Sequence, residues 1–341
     1  MIPFVSILVP CYNEERFIGT LLENLVQQDY PGDHLEILII DGGSADSTRE
    51  IISGYAARDP KFRLLDNPAQ YVPFALNAGI RLAHGEVIVR MDAHAEYPTN
   101  YVSLLVQSLF ELKADNVGGT WVTMPGGPGL KSLAVARVLS SPFGIGNAEY
   151  RLNVKKIRRV DTVPFGCYLK SVFDKIGFFD EELLRNQDIE FNGRLLKNGG
   201  TIYLVPEVRI IYYARDSVKK LLNMFFQYSM FRPLVNKKLG MAIQPRQFVP
   251  PVWVIFLLVM LIGSFFSRGC GGVLLGGLGL YFICDLIFSI RSAVNANKWG
   301  LMLYLPWIFF VLHITYGIGY IRGLINFTLL NRKPQSVSST R

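Results

Sequence analysis

Glu86-Val-Ile-Val-Arg-Met-Asp-Ala-His-Ala-Glu96 is the stretch on which the reading of this chain turns. Val87, Ile88, Val89 and Met91 form a short apolar run, expected to be a buried strand. Asp92 and His94 follow it directly, two positions apart. In an open α/β sheet, ligands gather beyond the carboxyl ends of the strands. Side chains at i and i+2 on extended backbone point to the same side. A carboxylate and an imidazole so spaced can share one divalent ion, and such an ion helps a diphosphate to leave. An Asp-x-His triplet by itself is equally a turn cap beside an incidental polar residue. The neighbouring sequence decides between these readings.

Before this stretch, strand and helix signals alternate. Residues 4–9 read as a strand, and Pro10-Cys-Tyr-Asn-Glu-Glu15 as a loop whose acidic end suits a helix N-terminus. Ile18, Leu21, Leu22, Leu25 and Val26 then recur at helical spacing. Residues 35–40 are nearly all apolar, as in a strand covered on both faces. Asp41-Gly-Gly-Ser-Ala-Asp-Ser-Thr48 follows as a second strand-end loop, its glycines allowing close backbone approach. A helix to about residue 58, a strand at 62–65 and a helix at 73–83 lead back to the opening stretch. This alternation predicts a mostly parallel α/β sheet with right-handed crossovers. The loops 10–15, 41–48 and 92–96 then lie along one edge. Turn chemistry accounts for their Pro, Gly and Asp, but not for acidic residues recurring at strand ends.

Further on, residues 116–123 read as a strand, 125–129 as a Pro/Gly loop and 130–139 as a helix. Arg151, Lys155, Lys156, Arg158 and Arg159 form a basic stretch. Gln187-Asp188 opens a helix that Gly199-Gly200 ends, and 201–205 is expected to be the last strand.

Six motifs stand in order: Val9-Pro-Cys-Tyr-Asn-Glu14, Asp41-Gly-Gly-Ser-Ala-Asp46, Asn77-Ala-Gly79 with Gly85, Asp92-Ala-His94, Gly177-Phe-Phe-Asp180, and Gln187-Asp188. Together they resemble the family 2 inverting glycosyltransferases of GT-A fold. The likeness is to the membrane-attached enzymes of bacterial exopolysaccharide biosynthesis, of the succinoglycan glucosyltransferase kind. Each motif alone is weak; six in order, spanning residues 4–205, are specific. The resemblance implies a Rossmann-like GT-A domain that uses a nucleotide-sugar donor and a divalent metal. It implies that Pro10, Tyr12 and Glu14 line the nucleoside pocket, that Asp41 reads the base edge, and that Gly43 and Asp46 shape the floor. Asn77 and Ala93 join the donor site, and Asp92, with His94, holds the metal that bridges the diphosphate. Asp188 is the implied general base, with Gly166 and Gln187 on the acceptor side.

The chemistry is consistent with this. A nucleotide sugar is already activated, so an enzyme must neutralise the departing diphosphate and deprotonate a hydroxyl. A divalent ion does the first. A placed carboxylate does the second, contributing about 10²–10⁴-fold. There are departures from the pattern. The metal triplet ends in His94 where Asp is usual, which favours Mn2+ over Mg2+. Gln187 stands where Glu is usual, so a neighbouring charge is lost. The Gln-x-x-Arg-Trp signature of processive relatives is absent, which argues for one sugar added per encounter. Arg151 and Arg159 suit the phosphate of a lipid-linked acceptor, or equally the headgroups of the membrane itself.

Half of the 341 residues are hydrophobic and mean hydropathy is +0.27, with the apolar runs concentrated after residue 248. The net charge of +8 comes from basic residues clustered at 151–159 and 219–246, beside those runs. That placement points to membrane lipids rather than nucleic acid, for which no motif is present. Four cysteines without metal spacing read as reduced and cytosolic. Residues 1–10 suit a first strand better than a signal peptide.

The expected division is a GT-A domain at 1–210, amphipathic juxtamembrane helices at 211–247 and a transmembrane region at 248–330. Leu221, Leu222, Phe225, Phe226 and Met230 give an apolar helix face flanked by Lys219, Lys220 and Arg232, which suits an interfacial helix and a packed one equally, with Pro233 ending it. Residues 249–266 and 271–290 form a hairpin of spans, with Asp285 in the second. Residues 301–325 are long enough for a third. Positive-inside bias makes the catalytic domain cytoplasmic, on the bacterial plasma membrane. The basic tail residues Arg332, Lys333 and Arg341 would suit two spans with a re-entrant or interfacial third helix broken at Pro306, but apolar length outweighs them and three spans are expected. The expected reaction transfers a hexose, glucose from UDP-glucose, to a polyprenyl-diphosphate-linked saccharide. A polyprenyl-monophosphate glycosyltransferase is the nearest rival, and a membrane transport subunit with a degenerate nucleotide domain is the rival outside enzymology.

Overall fold

The computed structural model describes residues 2–242 and 244–334, so Arg341 lies outside the described residues. The chain divides into two compact units. One comprises the residues up to Val122 with Asn153–Tyr212, the other Thr123–Leu152 and the chain from Tyr213 onward.

The first unit runs β1 (Val5–Cys11), α1 (Ile18–Val26), β2 (Leu35–Asp41), α2 (Thr48–Ala56), β3 (Phe62–Asp66), α3 (Val72–Leu82), β4 (Val87–Arg90), β5 (Ala95–Glu96), α4 (Tyr101–Glu111) and β6 (Asn116–Met124). Two short helices of the second unit intervene, α5 (Gly129–Val138) and α6 (Pro142–Ile145). The first unit resumes with β7 (Arg158–Arg159), β8 (Cys167–Leu169), α7 (Ser171–Ile176), α8 (Gln187–Lys197) and β9 (Ile202–Tyr213). Residues 123–152, read from sequence as part of the catalytic domain, thus group with the C-terminal helices.

The sheet order is β3-β2-β1-β4-β8-β6-β9-β5, with β7 beside β9. The strands β3, β2, β1 and β4 are mutually parallel, and β8 reverses direction. Register fixes the site: Cys11 lies opposite Asp41, and Leu8 opposite Arg90. The loops after β1, β2 and β4 therefore leave from one edge, as the alternation predicts. The strand cores are apolar on both faces, with Ile7, Leu8, Ile37, Leu38, Val87 and Val89 fully or almost fully buried. Helices α1 and α4 cover one face through Leu21, Leu22, Leu25, Leu105 and Leu109, all buried. The final strand is longer than expected, since residues 206–213 keep the period-two pattern: Val208, Ile210 and Tyr212 are buried, while Glu207 and Arg209 are exposed.

The second unit adds α9 (Val218–Leu239), α10 (Val249–Ser264), α11 (Arg268–Asn295) and α12 (Leu305–Gly323), the last continuing as a π-helical turn over Leu324–Leu329. Three runs are long and apolar enough to cross a membrane: Pro245–Ser264, Arg268–Asn295 and Leu305–Leu329. Helix α9 does not end at Pro233. It passes through it, because Phe231, Pro233, Leu234 and Val235 are buried and their packing offsets the one backbone bond a proline forfeits.

Candidate active site

The first two strand-end loops are tied to each other. Asn13 N–H donates to Ser44 Oγ and Ala45 N–H to Asn13 Oδ1, both at 2.8 Å. Glu14 N–H donates to Thr48 Oγ1 at 2.8 Å, and Glu15 N–H to Asp46 Oδ2 at 3.2 Å. Asp46 also caps the turn into α2 through Thr48 N–H. Its carboxylate thus holds the shape of the loop pair. Asp41 is fully buried, and its oxygens accept from Gly43 N–H, Ser44 N–H, the Ser44 hydroxyl and Arg49. Burial disfavours the Asp41 charge, but the Ser44 and Arg49 bonds outweigh it and hold its pKa below the ordinary aspartate value. Gly43 has φ +77°, the left-handed region that lets this loop close on Asp41. Tyr12 is substantially exposed, its ring against Gly42, and Pro10 is half-buried at the end of β1. A flat aromatic and a glycine-floored loop side by side make a platform for a planar base.

The third loop is organised by a residue whose role the sequence reading does not assign. Arg90, the last residue of β4, donates through Nε and Nη2 to both oxygens of Asp92, at 2.7 and 2.9 Å. Both side chains are largely shielded from solvent. Burial would lower the Arg90 pKa, but Asp92 and then Asp188 outweigh it and raise it. The guanidinium is thus bonded to the carboxylate after β4 and feels the charge of the carboxylate at the start of α8. Tyr97 fixes the Asp92 backbone, accepting from its N–H at 2.7 Å. The Arg90 guanidinium also sits over the Phe165 ring. Phe165 and Gly166 both have positive φ, 62° and 73°. At Phe165 that conformation is strained, and at Gly166 a Cβ would overlap the Tyr168 ring. Gly166 C=O accepts from Arg90 N–H at 3.0 Å. Gly166, expected near the acceptor, thus acts through its backbone on Arg90. The signal in sequence was an arginine ending an otherwise apolar strand, two residues before an aspartate.

His94 is mostly buried, and its Nδ1 makes no hydrogen bond; Glu14 Oε1 lies 3.8 Å away. Ala93 is buried in the core. Asn77 is almost fully buried and spends its amide on the chain leading to α8, accepting from Phe179 N–H and donating to Phe179 C=O and Glu181. Through these bonds it holds that segment in place. Asp188 occupies the first turn of α8 behind Asn186, which takes the left-handed conformation, while Gln187 is nearly buried. Asp188 Oδ1 accepts from Ile189 N–H at 2.9 Å and the residue is partly buried. The basic stretch is divided. Arg151 is nearly buried in the second unit; Arg159 is exposed in the first, with Nε on Tyr203 OH at 3.1 Å.

Among the described residues no three His, Cys, Asp or Glu side chains are grouped to hold a metal. Asp92 and His94 offer at most two ligands, which suits an ion completed by diphosphate oxygens and water. The unsatisfied His94 Nδ1 fits such an ion; the Asp92 carboxylate must share itself with Arg90.

Comparison with known proteins agrees with the fold. The family described as Glycosyl transferase family 2 matches residues 6–177. A dolichyl N-acetyl-alpha-D-glucosaminyl phosphate 3-beta-D-2,3-diacetamido-2,3-dideoxy-beta-D-glucuronosyltransferase of Methanococcus voltae is 28% identical over 331 residues, 94% of this chain and 97% of its own. The succinoglycan biosynthesis protein ExoA of Rhizobium meliloti is 31% identical over 224 residues, 65% and 66% of the two chains. Among solved structures, a mannosyltransferase of Pyrobaculum calidifontis in complex with GDP-Man and Mn2+ has a TM-score of 0.61 at 20% identity, over 95% of this chain and 88% of that one, a likeness of fold. The first unit is a GT-A-like, mostly parallel sheet domain followed by C-terminal helices, and the chain belongs to glycosyltransferase family 2.

Proposed function

We propose that this chain is an inverting glycosyltransferase that carries a hexose, glucose from UDP-glucose, to a lipid-linked saccharide at a membrane surface. The observation that carries the reading is the shielded Arg90–Asp92 pair, bonded at 2.7 and 2.9 Å, with the Asp188 carboxylate within its electrostatic reach. It links the diphosphate end of the reaction to the hydroxyl end. The donor lies on the platform of Tyr12, Gly43 and the loop pair, with Pro10, Glu14, Asp41 and Asp46 setting its shape. The acceptor hydroxyl attacks the anomeric carbon, its proton passes to Asp188, and the nucleoside diphosphate leaves from the opposite face. One base with no opposing nucleophile gives inversion. When bound, a divalent ion held by Asp92 and His94 supplies Lewis-acid neutralisation of the leaving diphosphate, and the imidazole favours Mn2+ over Mg2+.

The names of two relatives support a lipid-linked acceptor: one is a transferase acting on a dolichyl-phosphate sugar, the other a succinoglycan biosynthesis protein. Exposed Arg159 can meet the phosphate of such an acceptor. The apolar helices keep the enzyme where that lipid is, with the catalytic unit on the cytoplasmic side where nucleotide sugars are made.

The test is transfer from radiolabelled nucleotide sugars into extractable lipid by membranes carrying the chain. Polyprenyl-diphosphate saccharide and bare polyprenyl monophosphate are offered in parallel. Label on the saccharide supports the reading. Label only on the monophosphate assigns the enzyme to the rival class, and no transfer from any donor refutes both.

A further inference from the structure

The three apolar runs of the second unit are all long and apolar enough to cross a bilayer. Their contacts do not treat them alike. Helices α10 and α11 form an antiparallel hairpin: at its tip a Cβ on Gly263 would press on Cys270, and lower down Gly277 sits on the Phe256 ring. Trp253 stacks on Tyr281 at 5.1 Å, nearer the foot. The outward side chains of the hairpin are large and bare, among them Ile255, Leu258, Ile262, Phe265, Leu275 and Ile283, each about half-exposed or more.

Helix α12 begins at the foot of α11. Only residues 296–304 separate them, and Lys298 N–H still donates to Ala293 C=O. The Phe143 ring lies 5.2 Å from both Phe288 and Phe309, so the first turns of α12 stand beside the last turns of α11. His313 Nδ1 then meets Tyr281 OH at 2.8 Å. Further along, Gly317 packs on Pro250 and Val254, and the Tyr320 ring lies 5.8 Å from Phe248, beside the first turns of α10. Trp253 of α10 faces Tyr281, so these contacts stay near the level of Tyr281, about 20 Å short of the hairpin tip at 1.5 Å per residue.

The rest of α12 is bound to α9, which carries Lys219, Lys220, Arg232, Lys237 and Lys238 and is no membrane span. A Cβ at Gly319 would overlap Ser229 and Phe226, and one at Gly323 would overlap Met230 C=O. Asn236 donates to Tyr320 OH at 3.1 Å, and Lys237 Nζ to Phe327 C=O at 2.9 Å. Successive contacts climb both helices together, so α9 runs beside α12 over its second half. The exposed side chains along this stretch are Leu303 just before α12, Trp307, Ile318, Arg322, whose guanidinium lies over the Phe226 ring of α9, and Ile325 and Leu329 beyond it. An apolar stripe with a Trp and an Arg suits the boundary between headgroups and acyl chains.

We propose that the chain crosses the bilayer twice, by the α10–α11 hairpin alone, and that α12 lies in one leaflet across the foot of that hairpin with α9 beneath it. The lipid-contacting surface is then the bare hairpin plus the outward stripe of α12. The C-terminus returns to the side on which α9 begins. This places Arg246, Arg332 and Lys333 on one side of the membrane and Arg268 on the other, in line with the charge bias that a third span would violate.

The experiment labels single cysteines in the full chain, expressed in bacteria with Cys11, Cys167, Cys270 and Cys284 replaced by Ser. Right-side-out spheroplasts carrying Arg268→Cys or Lys333→Cys are treated with a membrane-impermeant maleimide, and each reaction is repeated after lysis in detergent. The expected result is that Arg268→Cys reacts in intact spheroplasts and Lys333→Cys only after lysis. Reaction of Lys333→Cys in intact spheroplasts overturns the proposal, as does protection of Arg268→Cys until lysis. Fusions after Arg341 of the unaltered chain read the tail independently: green fluorescence without alkaline phosphatase activity is expected, and phosphatase activity overturns it. Failure of sugar transfer in these cells leaves both readouts intact, so the fate of this proposal is separate from that of the enzymatic reading.

Discussion

Arg90→Met removes the guanidinium bonded to Asp92 while keeping most of the side-chain volume. In the native chain the pair is bidentate at 2.7 and 2.9 Å, and the side chains of Arg90 and Asp92 are only 11% and 13% exposed. Removing one partner of a largely buried ion pair costs about 3–5 kcal/mol, because the other charge stays behind uncompensated. At about 2–4 °C per kcal/mol for a unit of this size, the melting temperature in detergent falls by about 6–20 °C. Metal affinity moves the other way. An ion that binds Asp92 must displace two charge-assisted hydrogen bonds, and recovering even one of them is worth about 1.5–3 kcal/mol. Titration calorimetry with Mn2+ in the presence of UDP should therefore show about 10–150-fold tighter binding to the variant. Saturating Mn2+ should restore much of the lost melting temperature. A variant that melts like the parent, or one that stays folded and binds Mn2+ no tighter, refutes the view that Arg90 holds Asp92 in reserve.

Asn77→Ala strands a buried backbone N–H and C=O at Phe179; a loss of about 2 kcal/mol or more is expected in thermal melts, with transfer kcat falling while donor KM holds. The pKa of Asp41 is depressed in the folded chain despite its burial, by Ser44 and Arg49. Its contribution is therefore complete above the unfolded aspartate value, near ~3.9, and is lost as pH falls through the lower folded value. Arg49→Ala should lower stability at pH 7 and flatten its decline between about pH 5 and 2, read by melts across that range. Gly319→Leu should drive α9 and α12 apart at about 1–3 kcal/mol or more, visible as a lower melting temperature, whereas Ile318→Leu on the exposed stripe should be silent.

The parallel half of the sheet is legible because its strands are buried on both faces and their sequences are nearly uninterrupted apolar runs. Leu35–Asp41, Val87–Arg90 and the α8 start at Gln187 fall where periodicity and end signals put them. The reversal at β8 is not legible: Cys167–Leu169 is three residues long and is held by its neighbours rather than by any pattern of its own. The length of β9 is hidden by Pro206, and the course of α9 by Pro233, since tertiary burial overrides the local penalty at each. In the candidate site, residue types and order suggest who takes part, while partnership is set by geometry. Asp46 and Asn77 are expected as donor contacts from sequence, and the structure adds what sequence does not show: the Asp46 carboxylate ties two loops together and the Asn77 amide anchors the approach to α8. Arg90 looks like the polar end of a strand until its two acidic neighbours are seen around it. Hydropathy ranks α12 with the two hairpin helices, because its inward face is as apolar as lipid would require.

Asp188→Asn tests most directly whether Asp188 takes the acceptor proton, since the amide keeps the shape and removes the base. The measurement is single-turnover transfer of labelled sugar to the lipid-linked acceptor, with UDP-sugar affinity taken on the same preparations. Transfer about 10²–10⁴-fold slower with donor affinity unchanged is the expected result; turnover within a few-fold of the parent would contradict it.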